Sequence, residues 1–207
     1  HLAAALDACT QARDAFSQSV CANRGLTTLD GQINHALVEQ SANISDAGAQ
    51  MLVRNQARWR EAQRIGCGIA SVRTAPTADQ MRCLESQYRA RAQEVRTAVQ
   101  QIGGYTFERM ELVDAASVTP AMAAASGLGE YAPPAIVRDI RFPRIDGRQT
   151  TEIQRFNDLV AQQPQATLDQ GVNETVRYSI VYAGPELISV RFDASEDMLG
   201  AAHPNNT

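Results

Sequence analysis

Apolar residues recur at helical spacing through roughly the first hundred positions and then switch to the alternation expected of strands. From Leu26 the positions Leu26, Leu29, Ile33 and Leu37 fall on one helical face, and Thr27 with Asp30 has the form of a capping box. A polar break over 41–48 turns the chain near Ser45, and a second, antiparallel helix presents Leu52, Gln56, Trp59 and Gln63 along one stripe before Cys67. Thr77 follows Pro76 and can cap a third helix with Gln80 at its third position. Met81, Leu84, Tyr88, Val95, Val99 and Ile102 then form a stripe that ends at Gly103-Gly104. A helix over about residues 2–19 completes a four-helix unit.

Beyond the glycine pair, 105–113, 135–141, 176–182 and 187–192 show alternation or enrichment in β-branched and aromatic residues, which predicts strands. Between them, 151–163 places Ile153, Phe156 and Val160 on one helical face and stops at Pro164, while Ala183-Gly184-Pro185 gives the last two strands a tight connection. The expected fold is therefore mixed. An all-α, disulfide-stapled helical bundle spans 1–102, and an α+β domain with an antiparallel sheet and one packed helix spans 103–207. The segment 115–134, rich in Ala, Ser, Gly and Pro, reads as a surface loop with a short helical turn near 120–125.

Cys9, Cys21, Cys67 and Cys83 are widely spaced and lack the short-range second Cys or His of a zinc site, so they read as two disulfides and an oxidising compartment. A helical unit of about 100 residues has a modest core and gains from crosslinks. Cys21 and Cys67 lie at similar distances from the turn near Ser45, which favours Cys21 with Cys67 and Cys9 with Cys83; two other pairings stay open. No stretch is long and apolar enough to cross a membrane. The expected location is periplasmic or extracellular, with the signal already removed and a lipid anchor in the precursor compatible with that location.

All nineteen basic residues are arginine, and they do not cluster into a block. Residues 1–102 carry 11 Arg against 9 acidic residues (11 − 9 = +2), whereas 103–207 carry 8 against 14 (8 − 14 = −6). The acidic second half repels nucleic acid and attracts basic proteins.

A hydrolytic triad or metal site needs clustered ligands, but His1, His35 and His203 are far apart. His35 reads as a solvated helical residue. His203, in Gly200-Ala201-Ala202-His203-Pro204, is the better binding candidate, with a structural hydrogen bond near a strand end as the simpler role. Glu108 with Glu111, and Asp193 with Glu196, are close in sequence but read as solvated surface. Trp59 and Gln56 read as core. Neither a phosphate loop nor a nucleophile elbow is present, and no cofactor or enzymatic activity is expected.

The first half, from about residue 9 to 99, resembles the lysozyme inhibitor family named for the mycobacterial lipoprotein LprI. The resemblance rests on Cys9 and Cys21 twelve apart, Leu29-Asp30, Gln56 with Trp59, Cys67 eight after Trp59, and Cys83-Leu84 followed by Tyr88 and Arg91. It implies structural roles for Gln56, Trp59, Tyr88 and Arg91; where the family commonly has Arg four residues after its Trp, this chain has Gln63 and then Arg64. The second half resembles the extracellular domain shared by RsiV-type anti-sigma factors and some peptidoglycan deacetylases, through Phe142-Pro143, Asn157, Leu187-Ile188-Ser189-Val190 and the run ending His203-Pro204-Asn205. That domain normally continues past His-Pro, so the second half is expected to be incomplete here.

Both resemblances imply a protein partner, a lysozyme-like muramidase that is blocked or sensed sterically. Ser126-Gly127-Leu128-Gly129-Glu130-Tyr131 then becomes the candidate contact, with Tyr131 as anchor and Ser126 and Glu130 beside it. The alternative is a non-catalytic structural or sensory module that binds peptidoglycan or an envelope protein. An enzyme acting on peptidoglycan would need a metal-ligand cluster that this sequence lacks.

Overall fold

The computed structural model describes residues 2–10, 12–162, 171–199 and 201–206. Five helices come first: α1 (Leu2–Leu6), α2 (Ala15–Ala22), α3 (Arg24–Ser41), α4 (Asp46–Gly66) and α5 (Ala78–Glu94). Short polar side chains start four of them by accepting an otherwise orphaned backbone N–H. Asp14 accepts from Ser17, Asn23 from Leu26, Ser45 from Gly48 and Thr77 from Gln80. The expected Thr77/Gln80 capping box is complete. Leu26, Ile33 and Leu37 of α3 meet Leu52 and Trp59 of α4 and Leu84 and Tyr88 of α5 in one buried cluster. Arg60 of α4 docks α1 by donating to the Leu6 carbonyl at 2.6 Å, and Asp30 holds it from α3 at 2.7 Å.

Three helical expectations need correction. The helix expected over 2–19 is broken after Leu6, because Asp7 accepts from the Cys9 amide and the Thr10 hydroxyl and offers the backbone a local alternative to the helix. The start of α3 lies at Asn23 rather than at a Thr27/Asp30 box; Thr27 bonds back to the carbonyls of Asn23 and Arg24, and Asp30 is buried against Arg60. The stripe through Ile102 does not continue as helix. After a 3₁₀ turn at Val95–Thr97, the β-branched residues of Val99–Ile102 form strand β1, whose first amide donates to Gln40 Oε1 at 2.9 Å.

The disulfides are Cys9–Cys21 and Cys67–Cys83, not the favoured Cys21–Cys67 and Cys9–Cys83. Equal distance from a turn does not place residues side by side. Cys21 lies in the last turn of α2, close to the irregular segment that follows α1, and Cys67 caps α4 opposite the second turn of α5. Each bridge thus closes a short local loop, with sequence separations of 12 and 16.

Among the described residues the chain continues through β2 (Tyr105–Ser117), α6 (Pro120–Ala125), a 3₁₀ turn at Gly129–Tyr131, β3 (Ala135–Ile145), α7 (Thr151–Val160), β4 (Val172–Ala183), β5 (Ile188–Met198) and β6 (Ala201–Asn206). The strands form one sheet in the order β1-β2-β3-β4-β5-β6. The expectation of an antiparallel sheet holds for every pair but one. Strands β3 and β4 are parallel, with Ile140 opposite Val176, because α7 carries the chain across between them, as a parallel connection requires. Asn157 fixes α7 to the end of β3: its Oδ1 accepts from the Ile145 amide and its Nδ2 donates to the Ile145 carbonyl. Ile140, Phe142, Val160 and Val176 form the core beneath.

The turn at Gly103-Gly104 joins β1 to β2, and Gly103 is required there. Its φ is +59°, and a Cβ would lie 2.0 Å from the Ala183 carbonyl oxygen. Helix α4 lies along β2, and Asn55 Nδ2 donates to the Arg109 carbonyl at 2.9 Å. At the start of α4, Asp146 at the end of β3 accepts from both the amide and the hydroxyl of Ser45 at 2.6 Å.

Proteolytic mapping without reductant is expected to recover peptides joined as Cys9–Cys21 and Cys67–Cys83. Loops of this size are worth about 3 kcal/mol each, so removing either bridge by paired Cys→Ser replacement should lower unfolding stability by that order in a denaturant titration.

Candidate functional site

The helices meet the sheet through charge. Arg91, on the inner face of α5, is 1% exposed. Its guanidinium carbon lies 5.2 Å from the centre of the Trp59 ring, Nε donates to Gln56 Oε1 at 3.0 Å, and Nη1 lies 3.0 and 2.8 Å from the two oxygens of Glu111. Tyr88, one turn before Arg91, meets Trp59 edge-on at 5.0 Å between ring centres. Gln56, Trp59, Tyr88 and Arg91 are therefore brought together in one buried group.

Glu111 is shared. Arg109 Nε donates to its Oε1 at 2.8 Å, and Arg109 Nη2 donates to the Glu94 carbonyl at 3.0 Å. Arg141 extends the network, 3.2 Å from Glu94 and bidentate to Asp139 at 2.9 Å, and Arg177 reaches Asp139 at 2.7 Å. Burial alone would raise the Glu111 carboxyl, but the charges of Arg91, Arg109 and Arg141 outweigh it and hold the group below its ordinary value. Burial pulls Arg91 down, opposed by Glu111.

A second cluster sits at the start of α4. Glu108 is 0% exposed, with Oε2 3.2 Å from Arg144 Nη1, and the same nitrogen is 3.1 Å from Asp146. Burial pushes the Glu108 carboxyl up to about 8; Arg144 opposes the shift and Asp146 reinforces it. Glu108 is therefore protonated at neutral pH, which leaves Arg144 to pair with Asp146. Gly48 makes the approach possible, since a Cβ there would lie 2.9 Å from Asp146 Oδ1. The reading of Glu108 and Glu111 as solvated surface is thus corrected: both are buried, because α4 lies over that part of β2 and Arg91 of α5 reaches down to Glu111. Asp193 and Glu196 are exposed on β5 as expected.

The loop between β2 and β3 carries the other candidates. Its base is closed by the Val118 amide donating to the Pro134 carbonyl at 3.0 Å, α6 starts on its cap Thr119, and the Ser126 hydroxyl donates to the Ala123 carbonyl at 2.9 Å. Gly127 and Gly129 have φ of +73° and +54° with nothing within 4 Å of either position. A 3₁₀ turn at Gly129–Tyr131 then presents an exposed Glu130 and a Tyr131 side chain that is 82% exposed. His203 lies on β6 opposite Glu196, and its side chain lies outside the described residues. His35 is exposed on α3, 3.5 Å from Glu39. Among the described residues no group of His, Cys, Asp and Glu is arranged to hold a metal ion.

Sequence reasoning missed Glu94, Arg109, Arg141 and Asp139 as members of a network. A signal was present. Arg109 and Glu111 are two apart on a strand and so share a face, and the same relation joins Asp139 to Arg141 on the neighbouring strand. Comparison with family models, curated proteins and solved structures finds no match to this chain.

Glu108 gives the protein a defined pH dependence. In the unfolded chain it ionises near 4.5, whereas in the fold it keeps its proton to about 8. Its contribution is therefore fully present below about 4.5, declines as pH rises through that interval, and is lost above it. Glu108→Gln, neutral at every pH, should remove this decline. At pH 8 the variant should exceed the parent by roughly 2–4 kcal/mol in urea unfolding, and the two should converge at about pH 4.5. Parallel stability profiles across that range would contradict the assignment.

Proposed function

We propose that this chain is a cell-envelope binding protein that engages a lysozyme-like muramidase and blocks or senses it through the loop 126–131. The observation that carries the reading is Tyr131: an aromatic side chain 82% exposed, on a loop pinned at its base and narrowed by two glycines. An exposed tyrosine on a fixed loop loses little entropy on binding and can fill a cleft, and Ser126 and Glu130 supply polar contacts around it. The net charge of −6 on residues 103–207 steers a basic enzyme toward this half. Blocking of this kind is steric, makes and breaks no bond, and uses no cofactor. Two disulfides fit an oxidising compartment, so the proposed site of action is periplasmic or extracellular.

A second reading, a non-catalytic module bound to peptidoglycan or to an envelope protein, is favoured by one observation. Tyr182 and Leu187, at the β4–β5 hairpin, are 55% and 61% exposed and offer an apolar contact of their own.

Titration of c-type, g-type and i-type lysozymes with the oxidised protein should give near-stoichiometric inhibition of one type. Tyr131→Ala should weaken it by about 2 kcal/mol, close to thirtyfold, without altering the melting temperature. Undiminished inhibition by Tyr131→Ala would remove the loop from the contact. Absence of any complex, together with co-sedimentation with cell wall, would favour the second reading.

A further inference from the structure

A pocket of about 380 Å³ opens beside the ionic network, where Arg109, Arg141 and Arg177 line it from the adjacent strands β2, β3 and β4. Neither the network nor the proposed muramidase contact accounts for its chemistry. The charges do not cancel: Arg91, Arg109, Arg141 and Arg177 bring four positive charges against Glu94, Glu111 and Asp139 with three, an excess of one (4 − 3 = +1).

The donors do not all find acceptors either. Arg141 uses Nε and Nη2 on Asp139, and Arg177 uses Nη1 and Nη2 on Asp139 and the Val176 carbonyl. Arg141 Nη1 and Arg177 Nε have no hydrogen-bond partner among the described residues. Arg109 Nη1 makes only a long bond, 3.4 Å to Thr97 Oγ1. The Tyr178 hydroxyl, pushed up to about 12 by burial, keeps its proton and remains a donor. Thr97, Gln100 and Ser179 add polar groups to the lining, and Ile102 and Ile180 supply apolar surface.

We propose that this pocket binds a small monocarboxylic acid, its carboxylate among the three arginines and a short apolar body against Ile102 and Ile180. The single excess charge selects a carboxylate over a phosphate group, which brings close to two negative charges toward Glu94 and Asp139. A planar carboxylate also matches two guanidinium edges at once. The site is independent of the muramidase reading and stands or falls without it.

The test is a titration of the oxidised, ¹⁵N-labelled full chain with acetate and isovalerate, and in parallel with isovaleramide and inorganic phosphate, at low ionic strength. The Nε–H signals of Arg141 and Arg177 are followed. Saturable shifts with isovalerate are expected, with acetate weaker and with isovaleramide and phosphate each weaker by about tenfold or more. Arg177→Gln, at a side chain 42% exposed, should weaken isovalerate by about tenfold while its melting temperature stays near that of the parent, and Arg177→Lys should restore part of the affinity. The proposal is overturned if neither carboxylate gives saturable shifts, if phosphate or the amide binds as tightly as isovalerate, or if a folded Arg177→Gln binds unchanged.

Discussion

A guanidinium taken out of water must be given an opposite charge and acceptors for its N–H groups, or it costs several kcal/mol. Arg91 meets that requirement with three groups from two other elements: Glu111 from β2, Gln56 from α4 and the face of Trp59, also from α4. No element can shift along another without breaking one of these contacts. The arginine thus sets where α4 and α5 rest on the sheet. Glu111 is in turn shared with Arg109, and removing one member of so buried a set costs more than the set contributes as a whole.

Ser45 and Asp146 act at the other end of α4. Between them, the two polar contacts fix a helix whose apolar residues already face α3 and α5, so α4 serves both the helical core and the sheet. The site chemistry follows from that placement. Covering β2 buries Glu108 and raises its pKa, and the same covering leaves the guanidinium groups of β2, β3 and β4 gathered at the edge of the helices, where the pocket opens. The loop that carries Tyr131 leaves the sheet between β2 and β3, away from the need to satisfy buried charge, and its two glycines adopt left-handed backbone conformations in open space.

Local rules are legible in the sequence and long-range choices are not. The Thr77/Gln80 box, the turn near Ser45, the helical turn near 120–125 and the strands of the second half follow from capping chemistry and side-chain period, which act within a few residues. The disulfide partners, the parallel β3–β4 pair and the inward turn of Glu108 and Glu111 depend on which elements become neighbours, and spacing does not encode that. The stripe beyond Val95 shows the limit from the other side. Val99 and Ile102 keep helical spacing, yet their β-branched side chains also suit a strand, and the chain pairs along β2 instead.

If Arg91 couples the helices to the sheet, the two halves must unfold together. A calorimetric scan of the oxidised protein, run beside the fluorescence of its single tryptophan, Trp59, tests this most directly. One transition is expected, with the fluorescence midpoint at the calorimetric midpoint and the calorimetric enthalpy equal to the van't Hoff value. Two resolved transitions, with Trp59 following only one of them, would contradict it.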